Sequence, residues 1–266
     1  MTRHARTGHH PRRRRAKALA EGAPIGGLVA VEPLRPRLRS VDALRGFAIC
    51  LMIVYHFSFD LTWFGVFRAD FNNEPFWLGF RSVIVTLFLM LVGISLVLAR
   101  RANIGRRQFW RRIALVGICA VLVTAGSYVT FPQTFITFGI LHSIVVASLL
   151  AWPLTPFRWT PLIAGVAVVV AGMVIQHPLF DAPWLNWIGF MTHKPATEDY
   201  VPLFPWLGVV LIGVAVGQWL SPKNFAVLRP LERVAPSWLA WLGRHSLLVY
   251  MVHQPLLLGA LRVIVG

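Results

Sequence analysis

The chain has 266 residues, 56% of them hydrophobic and only 14% charged, with a mean hydropathy of +0.64. So little polar surface excludes a soluble globule, and the alternating pattern of a β-barrel is absent, which leaves an all-α, polytopic transmembrane helical bundle. The net charge of +16 does not describe a uniformly basic molecule, because ten of the 26 basic residues lie between Arg3 and Arg39.

That first segment carries Arg12, Arg13, Arg14 and Arg15 among scattered Pro and Gly, and has too little apolar surface to fold alone. Residues 1–40 are expected to form a disordered cytoplasmic tail lying against anionic lipid headgroups, with nucleic acid the weaker alternative partner. No signal-peptide core or cleavage site is evident, so the first helix is expected to stay in place.

Seven spans are predicted, at 43–64, 77–99, 113–131, 136–153, 161–177, 202–220 and 238–262. The first, within "VDALRGFAICLMIVYHFSFDL", keeps Arg45, His56 and Asp60 in an apolar run. After the second comes "RRANIGRRQFWRR", with Arg100, Arg101, Arg106, Arg107, Arg111 and Arg112, and after the sixth come Lys223, Arg229 and Arg233. By the positive-inside rule these loops and the tail are cytoplasmic, so the N-terminus is inside. The opposite connections carry Asp70, Glu74, Asp181, Glu198 and Asp199. Segment 177–200, with Trp184, Trp187 and several prolines, is too polar to cross and suits either an external lid or a plain interfacial connector. Gly213 and Gly217 of "GVAVG" have the spacing of close helix packing, and Cys50 and Cys119 are small core residues rather than a disulfide or metal pair.

The polar residues inside the spans are the candidate site. With ~1.5 Å of rise per residue, His56 lies ~20 Å along the first span, and His253 and His142 fall at about the same depth in the seventh and fourth. Intramembrane ionisable groups point to function, although each histidine alone is also explained as an interhelical hydrogen bond. A neutral imidazole can take a proton, and three at one level would also suit a metal, yet no spacing specifies one. Asp60, one turn beyond His56, is placed to orient its ring. Arg45 and Arg244, near the cytoplasmic mouth, are candidates to clasp phosphates, with an Asp42–Arg45 ion pair the structural alternative for Arg45.

Five blocks, "SVDALRGFAICLMIVYHFSFDL", "LFLMLVGISLVLARR", "FGILHSIVVASLL", "DYVPLFPWLGVVLIGVAVG" and "LGRHSLLVYMVHQPLLL", resemble in order the bacterial members of the heparan-α-glucosaminide N-acetyltransferase catalytic-domain family. They cover about Arg39 to Leu258, and the first and last are also similar to the broader membrane acyltransferases. The resemblance implies that residues 41–266 form a multi-pass acetyltransferase domain of the cell membrane. It implies acetyl-CoA as donor on the cytoplasmic side and a carbohydrate acceptor on the other. His253 matches the histidine of the family's last-helix block. The acetyl-accepting histidine proposed for the animal enzyme precedes the second span, where this chain has Asn72 and no histidine between Asp60 and Phe80. His56 is the residue able to replace it. Two other readings stay open, a transporter with a His-lined cavity and a non-catalytic membrane partner. No P-loop, Rossmann fingerprint, HExxH motif or nucleophile elbow is present.

Overall fold

A computed structural model describes residues 38–221 and 225–265. The tail predicted over 1–40 lies outside the described residues up to position 37, as does Lys223. Among the described residues there is no strand. The helices are α1 (Arg39–Trp63), α2 (Pro75–Arg101), α3 (Arg106–Thr130), α4 (Ile140–Ala151), α5 (Thr160–Val174), α6 (Leu203–Leu220), α7 (Arg229–Val234), α8 (Ser237–Arg244) and α9 (Ser246–Ile264).

Five of these, α1, α2, α3, α6 and α9, are long and apolar enough to cross a membrane. The chain is a multi-pass helical membrane protein. The fourth and fifth predicted spans correspond to shorter apolar helices. Prolines set their limits: Pro153 lies in the 3-10 turn Trp152–Leu154 that ends α4, and Pro161 stands at the start of α5. The seventh predicted span is not continuous. It breaks at His245 (φ −103°, ψ 19°) into α8 and α9, so Arg244 ends a separate short helix rather than entering a long one.

Burial identifies the central helices. Half of the apolar window is buried in α2 and in α6, against 11% in α3 and α9, which present their remaining surface outward. Side chains of Leu89, Val97, Val210 and Val214 are fully buried between α2 and α6. The two backbones approach so closely that a Cβ on Gly93 would strike the Val210 carbonyl, and one on Gly213 the Met90 carbonyl. Small residues at such crossings gain dispersion contacts where lipid supplies no hydrophobic drive. The same device joins α1 to α8, where Gly46 faces Leu239 and Gly243 faces Asp42. A second core of Ile49, Met52, Tyr55, Phe71, Trp77 and Ile84 holds α1 against α2, with Val249 and Tyr250 of α9 packed on it.

The basic loop between α2 and α3 is partly structural. Arg101 Nη1 donates to the Ser221 carbonyl at 2.8 Å, and Arg100 Nη1 to Thr155 Oγ1 at 3.3 Å. Gln218 Nε2 donates to the Thr155 carbonyl. The fully buried Thr155 thus ties the end of α4 to α2 and α6.

Candidate functional site

His56 of α1 and His253 of α9 meet across the seam between their helices, with ring centroids 4.9 Å apart. His253 is buried, and its Nδ1–H donates to the Tyr250 carbonyl at 2.6 Å. A carbonyl only accepts, so this bond fixes the tautomer and leaves Nε2 with its lone pair. That Nε2 is buried and has no hydrogen-bond partner among the described residues. Tyr55 stands edge-on to His56 at 5.7 Å, and Tyr250 stands 5.6 Å from His253, so aromatic rings wall the pair.

Asp60 lies one turn beyond His56 and is 1% exposed. Its Oδ1 accepts from Gln254 Nε2 at 2.7 Å, so its hydrogen-bond partner is the residue after His253 and not His56. The orienting bond expected from α1's own spacing is replaced by one that staples α1 to α9.

His142 is not joined to the other two histidines by any ring contact or hydrogen bond among the described residues. It sits in the first turn of α4, where Nδ1 accepts the Gly139 N–H at 3.3 Å. The Thr124 hydroxyl spends its proton on the Ile136 carbonyl at 2.8 Å, so the 3.3 Å contact with His142 Nε2 is a bond that the imidazole N–H donates. Both ring nitrogens are therefore occupied, Nδ1 in capping the start of α4 and Nε2 in holding α4 to α3.

At the other end of α1, Arg45 Nη1 pairs with Asp42 Oδ1 at 2.8 Å and reaches the Gly243 carbonyl at 3.4 Å. Its Nη2 donates to Ser95 Oγ at 3.0 Å. The guanidinium thus braces α1, α2 and α8 together. Arg244 is exposed at the end of α8. Arg45→Ala is expected to lower stability by about 2 kcal/mol, because the buried Asp42 loses its charged hydrogen-bond partner. An apparent melting temperature in detergent equal to the parent's would remove the bracing role.

On the His56 side, the segment before α6 lies alongside the segment before α4, running in the same direction. Glu198 N donates to the Thr134 carbonyl at 3.0 Å, Thr197 Oγ1 to the Phe135 carbonyl at 2.8 Å, and Val201 N to the Phe138 carbonyl at 3.2 Å. This places Asp199 Oδ2 on the Ile140 N–H at 2.9 Å, at the start of α4. Burial raises the Asp199 carboxyl above the usual carboxylate range, opposed by that N–H, by Arg81, by Lys194 and by Tyr250. Sequence reasoning missed Asp199, Tyr250 and Gln254 as members of this neighbourhood. For the last two a signal existed, since both flank His253 on a helix.

Farther along the 177–200 connector, Asp181 accepts from Thr192 N and Thr192 Oγ1, each at 2.7 Å, and these bonds hold its carboxyl below the usual 3.8. A depressed acid favours the folded form above its unfolded pKa and loses that contribution as pH falls through its folded value. Protease sensitivity between 177 and 194 is therefore expected to stay constant from neutral pH to about 5 and to rise only below about 4. A rise between pH 7 and 6 would show that Asp181 does not hold this connector.

No group of three His, Cys, Asp or Glu among the described residues is arranged to hold a metal ion. The chain matches the family model described as heparan-alpha-glucosaminide N-acetyltransferase, catalytic, over residues 37–255. It belongs to that family. Neither a curated protein nor a solved structure matches it. The match spans α1 to the middle of α9 and so includes every residue of the His56–His253 seam. As a member of the heparan-alpha-glucosaminide N-acetyltransferase family, the chain is placed among membrane acetyltransferases. Asn72 accepts from Lys194 Nζ at 3.3 Å and lies on the connector between α1 and α2.

Proposed function

We propose that this chain transfers an acetyl group from cytoplasmic acetyl-CoA to an amine or hydroxyl of an envelope carbohydrate on the other face of the cell membrane. The observation that carries the reading is the His56–His253 pair, in which the buried His253 has a fixed tautomer and an Nε2 with no hydrogen-bond partner among the described residues. The acceptor N–H or O–H gives its proton to an imidazole nitrogen, and its N or O bonds to the thioester carbonyl carbon. The C–S bond then breaks, and the CoA thiolate takes the proton back from the imidazolium. His253 fits the base, with His56 beside it as second base or transient acetyl carrier.

Seven crossings with the N-terminus inside suit this traffic. In that topology the Arg45 end of α1 faces the cytoplasm and the His56 end faces outward. Arg45 and His56 are eleven residues apart, so the CoA arm must reach ~16 Å into the bundle. Arg244, exposed and last in α8, is the residue to meet CoA phosphates, and Arg45 supports it by fixing α8. His142 and Asp60 support the site, His142 by holding the start of α4 and Asp60 by pinning α9. The basic tail would hold anionic headgroups on the inner leaflet.

Inside-out vesicles given radiolabelled acetyl-CoA and loaded with glucosamine test the reading. Label on the enclosed sugar, absent from vesicles lacking the protein, is expected. Movement of unmodified glucosamine without transfer of label would instead make the chain a transporter, and absence of both across a panel of acceptors would defeat the enzyme assignment.

A further inference from the structure

Five buried side-chain polar atoms lack a hydrogen-bond partner among the described residues, and three of them, Asp60 Oδ2, Gln254 Oε1 and His253 Nε2, lie along the α1–α9 seam. They are close in the fold. Gln254 bridges to Asp60 at 2.7 Å and follows His253 in sequence, while the His253 ring lies 4.9 Å from and tilted 59° to that of His56, one turn before Asp60. The chemistry of the three atoms is uniform. A carboxylate oxygen, an amide oxygen and an imidazole nitrogen whose partner nitrogen already carries the proton are all acceptors.

Buried acceptors are costly to leave unpaired, and in a bilayer no bulk water reaches them. A carboxylate at 1% exposure whose one side-chain bond among the described residues is to a neutral amide is the least tolerable of the set. Among the described residues no Lys or Arg forms an ion pair with it, and the nearby Glu198 adds charge of the same sign. An acceptor-only surface with excess negative charge is complementary to a group rich in N–H and O–H donors and carrying no negative charge. It repels a phosphate, so Asp60 and Gln254 do not belong to the phosphate-holding end of the CoA path.

We propose that Asp60 and Gln254 form a clamp that binds the amino and hydroxyl donors of the acceptor sugar and holds its nucleophile against His253 Nε2. The inference rests on the acetyltransferase reading and assigns that site its acceptor-binding residues. The Asp60–Gln254 bond presets the clamp. Asp60 Oδ1 is occupied by the amide, which leaves Oδ2 and Gln254 Oε1 as the acceptors for donors that enter. Both residues come from the helices that carry the histidine pair, so the sugar and the base share one seam.

The test separates acceptor binding from donor binding in the full chain reconstituted in nanodiscs, using glucosamine and acetyl-CoA as separate probes in calorimetric titrations. Asp60→Asn and Gln254→Leu are each expected to weaken glucosamine binding at least tenfold while changing acetyl-CoA binding less than twofold. Retained acetyl-CoA binding also certifies the fold of each variant. If Asp60→Asn does not fold, Gln254→Leu carries the same comparison. Parent-like glucosamine binding by the folded variants overturns the clamp, as does a parent that binds acetyl-CoA but no glucosamine. A parent that binds glucosamine through Asp60 but never acetyl-CoA keeps the clamp as a sugar site and overturns the transferase reading instead.

Discussion

His253→Ala is expected to lower acetyl transfer by roughly 10²–10⁴-fold, the usual contribution of a positioned general base, about 3–5 kcal/mol of barrier. Binding of acetyl-CoA should be unchanged, because the ring sits at the far end of the path from Arg244 and contributes only its Nε2. The Tyr250 carbonyl left by the truncation is part of a helix turn, so the backbone survives the loss of that 2.6 Å bond. His56→Ala should show a comparable loss, with rings 4.9 Å apart acting on one proton or one acetyl group. The double variant should then be scarcely worse than either single one, since residues that act as a unit are not additive in their removal. Purified His56→Ala and His253→Ala proteins that both turn over like the parent would end the catalytic assignment.

The meeting of His56 and His253 was legible in the sequence because two helices running the same way convert residue count directly into depth. His142 satisfied the same arithmetic, yet among the described residues its ring bonds to Gly139 and Thr124 rather than to either of them. Depth along the membrane normal says nothing of azimuth, and the start of α4 at Gly139 puts this ring in the first turn, where it is drawn to a free backbone N–H. The apolar helices were legible from run length, whereas the break at His245 was not. Hydropathy averages over "LGRHS", and the close approach of Gly243 to Asp42 that redirects the chain is a tertiary contact. Asp60 was singled out as ionisable, but its partner was overlooked because Gln254 is neutral. Asp199 was hidden for another reason. It reaches α4 only because residues 197–201 lie along 134–138, and no local pattern encodes that pairing.

Gly213→Leu is expected to cost more than about 3 kcal/mol and to abolish a monodisperse protein in detergent, a larger effect than ordinary overpacking of a core. The reason is the identity of the atom in the way. A side chain can change rotamer, but the Met90 carbonyl that a Cβ at 213 would strike belongs to the ladder of α2 and cannot move without opening that helix. On the facing helix Gly93 meets the Val210 carbonyl, so neither backbone has room to retreat. Gly217, one turn away in the same "GVAVG" stretch, provides the contrast. A Cβ there comes 3.1 Å from Val97 side-chain atoms and 3.2 Å from Ile94 Cα, contacts that a small shift relieves. Gly217→Ala should therefore cost less than about 1 kcal/mol. Apparent melting temperatures of the two variants test the ranking, and a Gly213→Leu protein as stable as the parent would mean that α2 and α6 are not in the contact described. Because α2 packs on α1 through Ile84, Trp77 and Tyr55, a loosened α2–α6 crossing would also move the wall on which His56 rests. A Gly217→Ala protein that folds but loses acetyl transfer would thus show how finely the α1–α9 seam depends on that remote crossing.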